Sequence, residues 1–145
     1  MNITLAVDVA ADADHVFDIL STREGQRGFW TADCDVASDQ ARFGFPDVPI
    51  DLVTDVTARP ATLVRMRVRT GFPFWEGSTW EWELGPASRA KSGTSVLFRQ
   101  YGFGDGYAEI DLGHTAQTWA LILDRLRKFA ETGDPQPFFP AASRS

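Results

Sequence analysis

The sequence predicts an α+β domain in which a curved antiparallel sheet wraps around one long C-terminal helix, with two short helices after the first strand. Three observations carry that expectation. Helical periodicity appears only near the two ends of the chain, and the stretch between them runs at period two. The last helix is the only predicted element long enough to cover a sheet with one apolar face.

The elements come in this order. A strand is expected at about 3–9. In "DADHVFDIL" Asp12 can N-cap a helix whose Val16, Phe17, Ile19 and Leu20 recur at helical spacing. "STREGQRGFW" restarts with Ser21 as a second cap, and Gly25 and Gly28 weaken the helix it begins. Weaker strands are expected at about 31–37, 40–45 and 50–57, punctuated by Pro46, Pro49 and Pro60. "ATLVRMRVRT" alternates Val64, Met66 and Val68 with Arg65, Arg67 and Arg69. "STWEWEL" sets Trp80, Trp82 and Leu84 against Thr79, Glu81 and Glu83, and "TSVLFRQY" continues with Val96 and Phe98. A hairpin turn at 71–77 is expected to bring Arg67 opposite Glu81, Arg65 opposite Glu83 and Met66 opposite Trp82. The outer face is then a ladder of exposed ion pairs, worth about 0.2–1 kcal/mol each. From about Asp111, Leu112, Ala116, Trp119, Leu123, Leu126 and Ala130 form one stripe, and Gly133 and Pro135 end the helix.

With 145 residues, 43% of them hydrophobic, the chain can bury one sizeable core but not two. One domain is expected over 1–133, with a C-terminal tail over 134–145. In that tail at least one of Phe138 and Phe139 is expected to dock on the domain or on a second copy in a homodimer. The net charge of −6 argues against a nucleic-acid partner. No run approaches the roughly 18 apolar residues of a membrane span, and "MNITLAVDVAADAD" has no basic leader, so a soluble cytoplasmic protein is expected. Cys34 is the one cysteine; it cannot form an internal disulfide and reads as a small buried hydrophobe.

Little in the chain points to chemistry. Two histidines and one cysteine are too few for a usual zinc site, so neither metal nor cofactor is expected. His114 opens the last helix near Asp111 and has the chemistry of a general base, but no serine, cysteine or second base is placed with it. "GFGDGYAEI" lacks G-x-G-x-x-G spacing and leads into no parallel strand, so it reads as a flap with Phe103 and Tyr107 as apolar contacts rather than as a phosphate loop. "FPFWEGSTWEWEL" is the most distinctive stretch. By alternation Trp80 and Trp82 point towards the helix, with Trp82 the deeper core residue, whereas Trp75 lies in a turn where no strand pattern asks for a large ring.

"WEGSTWEWEL", "GTSVLFRQYG" and "WALILDRLRKFAETGDPQPFFP", with the opening "VDVAADADHVFDILSTREGQRGFWT", resemble the SRPBCC (START-like) superfamily, and within it the branch named for its likeness to the activator of the heat-shock chaperone ATPase. The resemblance implies the helix-grip fold, with an apolar cavity between sheet and C-terminal helix; the middle strands, in "ARFGFPDVPIDL", look abbreviated. On that fold the candidate wall is Trp30, Phe43, Phe45, Trp80, Phe98 and Trp119, with Gln100 and His114 as polar anchors. The expected activity is non-catalytic binding of a small apolar or aromatic molecule. The resemblance also implies two alternatives: a polyketide cyclase or dehydratase, which would need an acid/base pair in the wall, and a chaperone-ATPase co-factor acting through its surface.

Overall fold

Asp12 and Thr22 start the two short helices, and each does so with its own side chain. The Asp12 carboxylate accepts from the His15 N–H at 2.8 Å, and the Thr22 hydroxyl accepts from the Gly25 N–H at 3.1 Å. The second cap is thus Thr22; Ser21 is the last residue of the first helix, where its hydroxyl donates to the Phe17 carbonyl. In the computed structural model, which describes residues 2–141, the chain runs β1 (Ile3–Val9), α1 (Ala13–Ser21), α2 (Arg23–Phe29), β2 (Cys34–Val36), β3 (Gln40–Phe45), β4 (Val48–Arg59), β5 (Leu63–Thr70), a 3-10 turn (Pro73–Trp75), β6 (Thr79–Pro86), β7 (Thr94–Tyr101) and α3 (Glu109–Thr132). Gly25 and Gly28 are not weak points but contact points. A Cβ on Gly25 would sit 1.9 Å from the Ile19 carbonyl oxygen, and one on Gly28 would sit 2.3 Å from the Phe129 ring of α3.

The strands form one antiparallel sheet in the order β1-β7-β6-β5-β4-β3-β2: a meander with the first strand returned beside the last. Two of the weaker strands differ from expectation in length. β2 shrinks to three residues, and β4 runs for twelve, through Pro49. Pro49 is tolerated because β4 meets β5 only from Val53 onward, so its missing N–H leaves no ladder bond unmade on that side.

The β5–β6 hairpin keeps the expected faces but slips by two residues: Arg65 faces Glu81, Met66 faces Trp80 and Val64 faces Trp82. The 3-10 turn consumes residues that a simple loop would have spent on pairing, and the hairpin closes through Val68 N–H to the Ser78 carbonyl and Gly77 N–H to the Val68 carbonyl. A two-residue slip preserves alternation, which is why the faces were legible and the partners were not. The outer ladder is also less exposed than expected. Glu81 lies between Arg65 and Arg99 on its two neighbouring strands, is only 5% exposed, and accepts from Arg65 at 3.2 Å. Glu83 pairs with Arg99 at 2.9 Å, and Arg69 with Asp55 at 3.1 Å.

The core lies between the sheet and α3, with α1 and α2 closing one end. Fully buried Phe29, Met66, Trp80, Trp82, Phe98 and Leu126 fill it. Cys34 is buried, and burial pushes its thiol up to about 11, well away from a nucleophile's range. The segment after α3 packs against the domain. N–H groups of Gln136, Phe138 and Phe139 donate to the carbonyls of Gly28, Phe29 and Trp30, satisfying acceptors at the end of α2.

Candidate functional site

Five segments of the chain meet near the N-terminal half of α3 around a cavity of about 300 Å³. α3 supplies His114, Thr115, Thr118, Trp119 and Ile122 at helical spacing. The turn after β5 supplies Phe72, Phe74 and Trp75, the β3–β4 hairpin Phe45 and Val48, the exit of α2 Trp30, and the C-terminal segment Phe139.

Five of these rings form a closed circuit. Centroid distances are 5.2 Å from Trp119 to Trp30, 5.8 Å from Trp30 to Phe45, 5.6 Å from Phe45 to Phe72, 5.3 Å from Phe72 to Trp75 and 6.0 Å from Trp75 back to Trp119. Phe139 extends the circuit from Phe45 at 5.1 Å, and Phe74 extends it from Trp75 at 6.4 Å. Phe103 and Tyr107 of the glycine-rich loop pack on Phe74, so that loop buttresses the wall from outside.

Of the residues expected in the wall, Trp30, Phe45, His114 and Trp119 line the cavity. Phe43, Trp80, Phe98 and Gln100 do not line it; they form the layer beneath, each 0% exposed. Phe43 supports Trp30 at 4.5 Å, and Phe98 supports Trp119 at 4.4 Å. Gln100 holds the structure together here, since its Oε1 accepts from Trp119 Nε1 at 2.9 Å and its Nε2 donates to Ser78 Oγ at 3.3 Å. These hydrogen bonds fix the Trp119 indole, and Gln100 lies behind the lining residues. Strand alternation gives the side of the sheet but not the depth, so these four fall in the layer behind the lining residues.

Phe72, Phe74, Trp75 and Phe139 are wall residues that sequence reasoning had not placed there. The available signal was the cluster "FPFW", with Trp75 in a turn that had no other use for it. The 3-10 turn, with Pro73 at its start, folds Trp75 inward until it is 8% exposed and nearly parallel to Trp119, at 14°.

The polar side of the cavity is thin. Thr115 donates its hydroxyl proton to the Asp111 carbonyl and Thr118 to the His114 carbonyl, leaving oxygen lone pairs as what these side chains can offer a ligand. His114 is exposed at the rim and is the one titratable side chain among the lining residues. Among the described residues no group of three or more His, Cys, Asp or Glu is placed to hold a metal ion, and no helix is long and apolar enough to cross a membrane. A wider depression of about 570 Å³ lies at the opposite end, over residues 10–13, 85–86 and 92–94. Its walls are small side chains, Asp12 and backbone with no aromatic ring, so it offers a ligand little apolar contact.

The fold recurs in solved structures. The chain is similar to the Aha1 dimer from Colwellia psychrerythraea, with a TM-score of 0.75 at 21% identity, over 92% of this chain and 98% of that one. A protein from Staphylococcus saprophyticus matches with a TM-score of 0.72 at 16% identity, over 99% of this chain and 98% of that one. DynU16, a protein of the dynemicin biosynthetic locus, matches with a TM-score of 0.73 at 16% identity, over 96% of this chain and 50% of that one. No protein-family profile and no curated protein matches the chain. At these identities the likeness is one of fold: the chain has a helix-grip α+β fold, a curved antiparallel sheet gripping a long C-terminal helix.

Proposed function

We propose that this protein binds a small apolar or aromatic molecule, without catalysis, in the cavity beside the N-terminal half of α3. The observation that carries the reading is the closed circuit Trp119–Trp30–Phe45–Phe72–Trp75, all five rings of which line the cavity while Trp80 packs beneath Trp30, Trp75 and Trp119. Rings pressed into a core gain contact on both faces; rings kept at the edge of a space forgo part of it, and a ligand restores it. At about 300 Å³ the cavity is at the low end of the roughly 300–1,000 Å³ range of small-molecule sites, so the ligand is small. The cyclase or dehydratase alternative has His114 in the wall but no second acid or base among the lining residues to work with it. The protein is proposed to act in the cytoplasm. The resemblance to the chaperone-ATPase activator branch, together with the likeness to an Aha1 dimer, makes a homodimer working through its surface the outcome to expect if the cavity stays empty.

Native mass spectrometry of freshly isolated protein, joined to a tryptophan-fluorescence titration with small aromatic probes, tests this. The expected result is a co-purified mass or a saturable fluorescence change in the wild type that is lost in Trp75→Ala. No bound mass and no saturable change with any probe would remove the ligand-binding reading.

A further inference from the structure

The charge of the chain is unevenly placed around this cavity. The segments that build its walls, residues 28–33, 45–52, 71–77, 102–122 and 134–140, contain no lysine or arginine. They carry Asp33 and Asp51, which pair with Arg42, and also Asp47, Glu76, Asp105, Glu109, Asp111 and Asp134, none of which forms an ion pair among the described residues. The N-terminus of α3 contributes about half a positive charge at this end, less than Glu109 and Asp111 return within its first turn.

An aromatic circuit whose wall segments carry eight carboxylates against two nearby cations, Arg42 paired with Asp33 and Asp51 and Arg125 donating to the Gln136 carbonyl, has a definite electrostatic preference. Ring faces carry negative potential and attract a cation within about 6 Å of the centroid. The surrounding carboxylates act in the same direction and repel an anion. The wall has no carboxylate of its own, and its Thr115 and Thr118 oxygens are the few acceptors available, so a primary ammonium would leave N–H donors unpaired. An N-alkylated ammonium has a spread charge, apolar methyl groups and few or no N–H groups to satisfy. We infer that the cavity selects a small N-alkylated ammonium ligand over neutral and anionic molecules of the same shape, an assignment that rests on the binding reading above.

Three probes of matched shape separate the two claims: benzyltrimethylammonium, its uncharged isostere neopentylbenzene, and phenylmethanesulfonate. Followed by intrinsic tryptophan fluorescence and calorimetry on the full chain, the cation is expected to bind about tenfold more tightly than the neutral isostere, and the sulfonate more weakly than either. The cation's advantage should shrink when Glu76→Gln, Asp105→Asn and Glu109→Gln are combined. If neopentylbenzene binds as tightly as the cation, or the sulfonate binds most tightly, charge selection is overturned while ligand binding stands. An advantage unchanged in the triple variant overturns the role of the acidic surround. Failure of all three probes overturns both claims.

Discussion

The two halves of α3 meet the same sheet and enclose different things. Along the C-terminal half, Leu123, Leu126 and Ala130 are buried, Phe129 packs on Gly28 of α2, His15 of α1 reaches the Ala130 carbonyl at 3.2 Å, and Glu131 accepts from the Ala10 N–H at 2.9 Å. Regular elements with complementary stripes surround this half, so the rings beneath it, Phe29 and Trp82 among them, close into solid core. The N-terminal half instead faces a turn, a hairpin tip and the returning C-terminal segment. These present large rings but no repeating surface to interdigitate, and the rings stand around a space. Aromatic content alone therefore does not distinguish core from site; what packs on the far side of the ring does.

The largest effects that can break this comparison fall on Trp82 in the closed half and on Trp119, whose buried indole underlies the open half. Trp82→Ala should destabilise by about 3–5 kcal/mol in denaturant unfolding, as a cavity opened in full core. Trp119→Ala should cost as much or more, because Trp119 is 1% exposed, touches Trp30, Trp75, Trp80, Trp82 and Phe98, and is the hydrogen-bond partner of buried Gln100. This reverses the simple expectation that a wall tryptophan is the cheaper one to remove. Next, Gly28→Ala should cost about 1–3 kcal/mol, because the new methyl group collides with the Phe129 ring and must part α2 from α3. Thermal melts that place Gly28→Ala at the wild-type midpoint would mean the closed half is looser than described.

At the open half the order of effects should invert. Trp75→Ala should lower the melting temperature by less than half the Trp82→Ala shift, because its ring already borders space, and should weaken binding of an aromatic probe by about tenfold or more. Equal losses of stability from Trp75→Ala and Trp82→Ala would erase the distinction between the halves.

Smaller effects belong to the outer face and to Cys34. A double-mutant cycle on Arg65 and Glu81 should give a coupling of about 1 kcal/mol, since the carboxylate is nearly buried, and the same cycle on Arg67 and Glu81 should give none. The Cys34 thiol, raised by burial from 9.0 to about 11, favours the folded state fully below about pH 9, and that contribution falls as pH rises towards about 11. Cys34→Ala should accordingly lose less stability than wild type across that interval, as measured by urea unfolding at each pH.

How much of this was legible depends on which interactions are local. Strand alternation in "ATLVRMRVRT" and "STWEWEL", the Asp12 cap and the long terminal stripe are decided by neighbours along the chain, and they placed the sheet, the first helix and α3 correctly. The β5–β6 register was not legible, because it depends on how many residues the turn consumes. Four of the eight candidate wall residues line the cavity. Trp119 lies on the stripe of α3 that the pattern reveals, whereas Trp30 and His114 lie off any such stripe, at the exit of α2 and on the exposed rim. Trp75 and Phe139 enter through a 3-10 turn and a strap of backbone hydrogen bonds to α2, features set by tertiary contact rather than by period. Gln100, expected as a polar anchor in the wall, has Trp119 and Ser78 as its hydrogen-bond partners, which alternation along β7 does not reveal.

The contrast between an open and a closed aromatic half is tested most directly by the five tryptophan indole N–H signals in a proton–nitrogen NMR correlation spectrum, observed while a small aromatic probe is added. The signals of Trp30, Trp75 and Trp119 should shift progressively and saturate together, with that of Trp82 unmoved. Saturable binding that leaves those three unmoved, or that shifts Trp82 as strongly as Trp75, would contradict the contrast.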